Sequence, residues 1–149
     1  MKANKYIYIL LVFIGIASCN NHVPTISKSM EKDGIVIHIS QGEKNPHSTL
    51  MALTLANSFI NGDQDLLVYF DVDAINLVTN NAPVVKYPGY EDSDMLIKAL
   101  YDNKVKVMVC PGCMAADSIQ NNDLIQGTII RGNMNFFSFT KGRIVSLSY

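Results

Sequence analysis

Hydrophobic positions in this chain fall in blocks separated by polar stretches. Ile35-Val36-Ile37-His38-Ile39, Leu66-Leu67-Val68-Tyr69-Phe70 and Val105 to Val109 are β-branched or aromatic runs with almost no polar interruption. Runs of that length and composition predict strands buried on both faces. Thr128-Ile129-Ile130 and Ile144 to Leu147 predict two shorter strands. Between the runs the period lengthens. From His47 to Asn61 one helical stripe carries Leu50, Leu53, Ala56 and Ile60, and an adjoining one carries Met51, Leu55 and Phe59, with Asn61-Gly62 as a stop. Ser93 to Asn103 predicts an amphipathic helix, with Leu96, Ile97, Leu100 and Tyr101 inward and Asp94–Lys98 as an exposed i,i+4 pair. Ala74 to Thr79, Met114 to Gln126 and Asn133 to Thr140 predict short helical turns, and residues 80–92, with two prolines and a glycine, an irregular connection.

Strands alternating with helices at this spacing predict a mainly parallel sheet with helices on both faces. With right-handed crossovers the fold class is α/β, a three-layer flavodoxin-like sandwich over residues 34–149. Chemistry in such sheets gathers beyond the carboxyl ends of the strands. Three loops compete for that position: 40–46, 71–73 and 110–113.

The first residues differ in kind. Lys2 and Lys5 precede an uncharged apolar run, Tyr6 to Ile16, of eleven residues. A membrane-spanning helix needs about 20 residues, and the shorter run suits the apolar region of a secretory signal. Ile16-Ala17-Ser18-Cys19 resembles a bacterial lipobox, which implies lipidation of Cys19 and cleavage before it; the other reading is an ordinary signal peptide with an incidental cysteine. The expected organisation is a lipoprotein signal peptide over 1–18, a lipidated N-terminus and polar tether over 19–33, and one domain over 34–149. The expected location is the bacterial cell envelope, on its periplasmic or outer-membrane side, held to the membrane by lipid.

Composition narrows the function classes. A hydrophobic content of 48% in 149 residues excludes a disordered chain. Two lysines and no acids leave with residues 1–18, so the net charge moves from −1 to −3. That balance excludes an electrostatic nucleic-acid binder, and Phe136, Phe137 and Phe139 beside Lys141 and Arg143 are read as core or interface. Of three cysteines, Cys19 is taken by lipid, leaving Cys110 and Cys113.

Cys110-Pro111-Gly112-Cys113 is the sharpest motif. It follows a strand and opens a helix, with Cys110 at the N-cap and Pro111 at the first helical position that proline favours. Amides and the helix dipole there favour a thiolate, the species that attacks disulfides, accepts sulfane sulfur or binds metal. A structural disulfide is the alternative. Structural zinc needs four ligands; no second C-x-x-C is present, and His38 and His47 would have to be brought in by the fold. No metal is assigned. His38 is read as a hydrogen-bonded core histidine. His47, opening a helix beside loop 40–46, is either an orienting group for Cys110 or a surface residue. Ser40 and Gly42, in that loop, are supporting candidates. Asp71 and Asp73 are read as helix caps. With no G-x-G-x-x-G, no phosphate-binding P-loop and no G-x-S-x-G, no cofactor and no hydrolase elbow is expected.

The stretch Ile35–Gly42, Asn45-Pro46-His47, and the segments MALTLANSF, LLVYFDVDAINLV, VKVMVCPGCMAA, DLIQG and FFSFTKGRIVSLSY together resemble the DsrE/DsrF-like (TusD-like) sulfur-relay superfamily, across roughly residues 34–149. The resemblance is closest to members with C-P-x-C after the central strand. It implies a flavodoxin-like three-layer fold, homotrimers or hexamers, and sulfur carried as a persulfide on Cys110, with Cys113 the extra cysteine of the C-P-x-C variants. The implied partners are thiol or sulfur-donor and sulfur-acceptor proteins. Two features depart from the relay members: Ala115-Ala116-Asp117 replaces an arginine-glycine pair, and the chain carries an export signal. The expected function is thus persulfide carriage or thiol–disulfide exchange at the envelope. The alternative is a non-catalytic binding or assembly module whose cysteines form a structural disulfide or a soft-metal site.

Overall fold

The structure, a computed structural model, describes residues 31–133 and 136–149. The signal segment, the lipobox cysteine Cys19 and the tether up to residue 30 lie outside the described residues.

Five strands form one sheet: β1 (Gly34–Ile39), β2 (Asp65–Phe70), β3 (Lys106–Val109), β4 (Ile129–Ile130) and β5 (Ile144–Ser148). All pairings are parallel, and the order across the sheet is β4-β3-β2-β1-β5. Parallel neighbours need long crossovers, which here are α1 (Pro46–Ser58), a 3-10 helix (Val72–Val78) leading to α2 (Ser93–Asp102), and α3 (Pro111–Ala116). From β1 to β4 the chain steps one strand at a time in the same direction. Right-handed crossovers therefore place every one of these helices on the same face. The return from β4 to β5 travels the other way and crosses the opposite face, where its 3-10 turn (Phe136–Phe139) forms a thinner third layer. The strand order differs from the 2-1-3-4-5 of flavodoxin, and this is why α-helices cover one face only among the described residues.

Strand alternation sorts the core into two halves. Ile37, Ile39, Val68, Phe70, Val107 and Val109 point to the helical side, where they meet Leu50, Leu53, Ile75, Leu77, Ile97 and Leu100. Val36, Leu67, Tyr69 and Met108 point to the other side, under Phe139. The central strands are thus buried on both faces, as their uninterrupted apolar runs require.

Three sequence expectations shift. Lys32 and Asp33, read as the end of a tether, are bonded into the domain: Gly142 N–H and Thr140 Oγ1 donate to the Lys32 carbonyl, and Arg143 Nη2 lies 2.7 Å from Asp33 Oδ2. The i,i+4 pair on α2 is Lys98–Asp102 rather than Asp94–Lys98. Neither Asp71 nor Asp73 caps the following helix: Asp71 turns its carboxylate to His38, and Asp73 pairs with Lys44 at 3.2 Å. No helix among the described residues is long and apolar enough to cross a membrane.

Candidate functional site

Beyond the carboxyl ends of β1, β2 and β3 the loops expected to compete for the chemistry instead meet. Cys110 directly follows β3 and is the N-cap of α3, with Pro111 at the first helical position. Its amide donates to the Phe70 carbonyl at 3.1 Å, and its carbonyl accepts the Met114 amide at 3.1 Å. By alternation from Met108, the Cys110 side chain lies on the thin-layer side, with Tyr69. Cys113, one turn on, packs against the helical core. The motif therefore straddles the end of the sheet with one sulfur toward each face. Both are free, half-buried thiols.

Their environments pull the two thiols apart. Burial pushes Cys110 up, but the amide of Cys113, the Tyr69 hydroxyl, the Cys113 thiol and the amide of Gly112 outweigh it and hold the thiol below its ordinary value. No capping hydrogen bond is closed to the protonated sulfur; these donors favour the charge by proximity. Burial pushes Cys113 above its ordinary value. The Val72 amide, 3.2 Å from its sulfur, counters that, while the charges of Cys110 and Asp71 add to it. Burial keeps the Tyr69 phenol protonated, well above its usual range, so its hydroxyl favours the Cys110 thiolate as an O–H group. A low-pKa sulfur beside a high-pKa one is the arrangement of an attacking and a resolving thiol.

Val72 is held oddly. Its φ of 45° is left-handed, a region that costs a β-branched residue about 1–3 kcal/mol. The conformation aims its N–H at Cys113 Sγ. Gly42 supports the same loop: a Cβ there would sit 2.6 Å from the Asp73 carbonyl oxygen, so only glycine lets loop 40–46 press this close. The Thr49 hydroxyl fixes Gly42 from the other side, donating to its carbonyl at 2.8 Å.

The other candidates lie elsewhere. Ser40 ties β1 to the end of β5, its amide and hydroxyl both donating to the Tyr149 carbonyl, at 2.9 and 2.8 Å. The contacts of His47 run to loop 80–92 and not to Cys110. Its ring stacks on Tyr87 at 4.6 Å and bonds the Tyr90 hydroxyl at 3.2 Å, because loop 80–92 folds over the start of α1. His38 sits at the site after all, as a partly exposed histidine rather than a core one, paired with the site's carboxylate. Its Nε2 lies 2.9 Å from Asp71 Oδ1, and its Nδ1 lies 3.2 Å from Ser148 Oγ. The His38–Asp71 contact is out of line for a hydrogen bond, so these two sealed atoms lack a well-directed partner. Sequence reasoning missed Tyr69 and Val72. Tyr69 was findable: it lies an even number of residues before Asp71, on the face that Cys110 shares.

Among the described residues no three His, Cys, Asp or Glu side chains converge as a metal site. A cleft of about 340 Å³ between Leu77, Pro83, Ile97 and Tyr101, and a broader depression beside Asp33 and Arg143, both lie away from the thiols.

A parallel α/β sheet with a paired-thiol loop after its third strand defines the class. Residues 33–140 match the model of the DsrE/DsrF-like family, and the chain belongs to that family. Among solved structures it is similar to the ychN protein from E. coli, with a TM-score of 0.57 and 20% identity over 79% of this chain and 100% of that one. It is also similar to MTH1491 from Methanobacterium thermoautotrophicum, a protein of unknown function, with a TM-score of 0.54 and 10% identity over 78% of this chain and 99% of the other. At those identities the likeness is one of fold. No curated protein matches the chain.

Proposed function

We propose that this protein handles sulfur at Cys110, as a persulfide carrier or a thiol–disulfide exchanger serving a partner protein, from a lipid anchor at Cys19 in the bacterial cell envelope. The family supports the sulfur chemistry in kind. The observation that carries the reading is the placement of the two thiols at the end of β3: Cys110 is the N-cap of α3, where amides and the Tyr69 hydroxyl favour its thiolate, and Cys113 packs on the helical side, where burial favours the thiol. In sulfur carriage the Cys110 thiolate attacks the outer sulfur of a donor R–S–SH. The donor S–S bond breaks, R–S⁻ leaves, and Cys110 holds the sulfur as Cys–S–SH. In exchange the same thiolate attacks a disulfide, one thiolate leaves, and Cys113 then displaces the other.

The test is to expose the reduced full chain to a sulfane-sulfur donor and weigh it intact. The expected product carries one added sulfur or a reducible Cys110–Cys113 bridge. A chain that gains neither, and whose cysteines stay inert, overturns the reading.

A further inference from the structure

The segment after β2 lies along the cysteine motif and is bonded to it at two points. The Phe70 carbonyl accepts the Cys110 amide at 3.1 Å, and two residues on the Val72 amide donates to Cys113 Sγ at 3.2 Å. β2 is the middle strand of the sheet, so this contact stands at the centre of its carboxyl end. The amide bond does not call for valine. Glycine or asparagine would present the same N–H from left-handed backbone at lower cost. Nor does the fold use the side chain: Val72 is 58% exposed and belongs to neither apolar cluster of the described residues. Left-handed backbone at a β-branched residue, with no packing to offset it, points to a use outside the chain.

Its position says what it can touch. With the amide 3.2 Å from Cys113 Sγ, bond lengths alone keep the valine methyls within about 7 Å of that sulfur. Consecutive Cα atoms are about 3.8 Å apart, so that reach covers a partner's cysteine and the residues next to it, and no remote surface. The carboxylates on either side are engaged: Asp71 Oδ1 lies 2.9 Å from His38 Nε2, and Asp73 Oδ2 lies 3.2 Å from Lys44 Nζ. The tip of the loop therefore offers an apolar group rather than a charge.

We propose that Val72 is a specificity-determining contact, packing against an apolar side chain next to the reactive cysteine of the partner protein. The inference rests on the exchange reading above and names its substrate class: protein segments in which the reacting cysteine has an apolar neighbour. In the step it favours, the Cys110 thiolate attacks the partner's sulfur in R–S–S–R′. A Cys110–S–S–R bond forms, the bond to R′ breaks, and R′–S⁻ leaves with the electron pair; the partner's disulfide is the oxidant. A segment that holds its sulfur on Cys110 and yields it to Cys113 lies across both, and so over Val72. Val72 makes and breaks no bond.

The test uses the reduced full chain and two short peptides, each with one cysteine joined by a disulfide to a coloured aromatic thiol. Leucine flanks the cysteine in one peptide and serine in the other. Attack on the peptide sulfur releases the coloured thiolate, and each rate is divided by that of free cysteine with the same peptide. Wild type is expected to favour the leucine peptide by about tenfold, the worth of burying about two methylene groups. In Val72→Asn, and again in Val72→Ala, the preference falls to within about twofold, and in Val72→Ile it is kept. Because the readout is a ratio within one variant, a change in the thiols themselves cancels. A wild type without the preference, or Asn and Ala variants that keep it, overturn the role of Val72. A wild type that releases no coloured thiolate from either peptide overturns the exchange reading itself.

Discussion

Replacing Tyr69 by Phe removes one hydroxyl and leaves the packing intact. The ring is 9% exposed, with Phe136 at 5.2 Å and His38 at 5.5 Å, and Phe keeps both contacts. What goes is the donor beside the Cys110 sulfur. A hydrogen bond to a charged group contributes about 1.5–3 kcal/mol net, and the half-exposed sulfur, partly solvated, puts this one at the lower end. With about 1.36 kcal/mol per pKa unit, the Cys110 pKa rises by about one unit in Tyr69→Phe. Well below both midpoints the thiolate fraction falls about tenfold. The more basic thiolate is about threefold more nucleophilic at a Brønsted slope near 0.5, so alkylation slows by a net factor of about three. The assay is the ultraviolet absorbance of the thiolate against pH, paired with alkylation rates. The sign for stability follows: a depressed native pKa stabilises the fold above the unfolded thiol's pKa, and that stabilisation is lost as pH falls through the native value. Tyr69→Phe therefore loses stability at the alkaline end and little at the acid end. A midpoint that stays put or falls, in a folded variant, refutes the role given to Tyr69.

Val72→Asn replaces a strained β-branched residue, 58% exposed, with one that tolerates left-handed backbone. It is expected to raise stability by about 1 kcal/mol in urea unfolding while leaving thiol titration unmoved, since the amide to Cys113 remains. A destabilised variant would mean that the Val72 conformation carries no strain. Gly42→Ala forces a methyl to 2.6 Å from the Asp73 oxygen and 2.9 Å from its carbonyl carbon. The expected cost is about 1–3 kcal/mol, and as loop 71–73 yields, the Cys113 thiol loses its amide donor and titrates higher still. Wild-type stability and titration together would remove Gly42 from the site.

Much of this was legible in the chain because burial on both faces writes itself as an uninterrupted apolar run. Ile35 to Ile39 and Leu66 to Phe70 read as strands at nearly their observed bounds, and Pro111 after Cys110 marked the helix start. The layer arrangement was less legible: no periodicity encodes that the chain steps one way from β1 to β4 and only then returns to place β5 beside β1, and that order is what leaves one face thin. Side-chain pairing was least legible. Asp71 reads as a cap because it precedes a helix, yet pairing across the sheet end with His38 wins, and that partner is set by the β1–β2 register. His47 reads as neighbour to the motif because its loop is; Tyr87 and Tyr90, far on in sequence, claim it. Val72 gave no signal, since left-handed backbone normally advertises itself through glycine or asparagine.

The central claim is that Cys110 takes the sulfur and Cys113 follows. Its most direct test is site-resolved mass spectrometry of the reduced full chain after brief exposure to the sulfane-sulfur donor, with blocking of remaining thiols before digestion. The account predicts the extra sulfur on Cys110, with Cys113 blocked as a free thiol at early times and bridged to Cys110 later. Sulfur appearing first on Cys113, or equally on both, would contradict it.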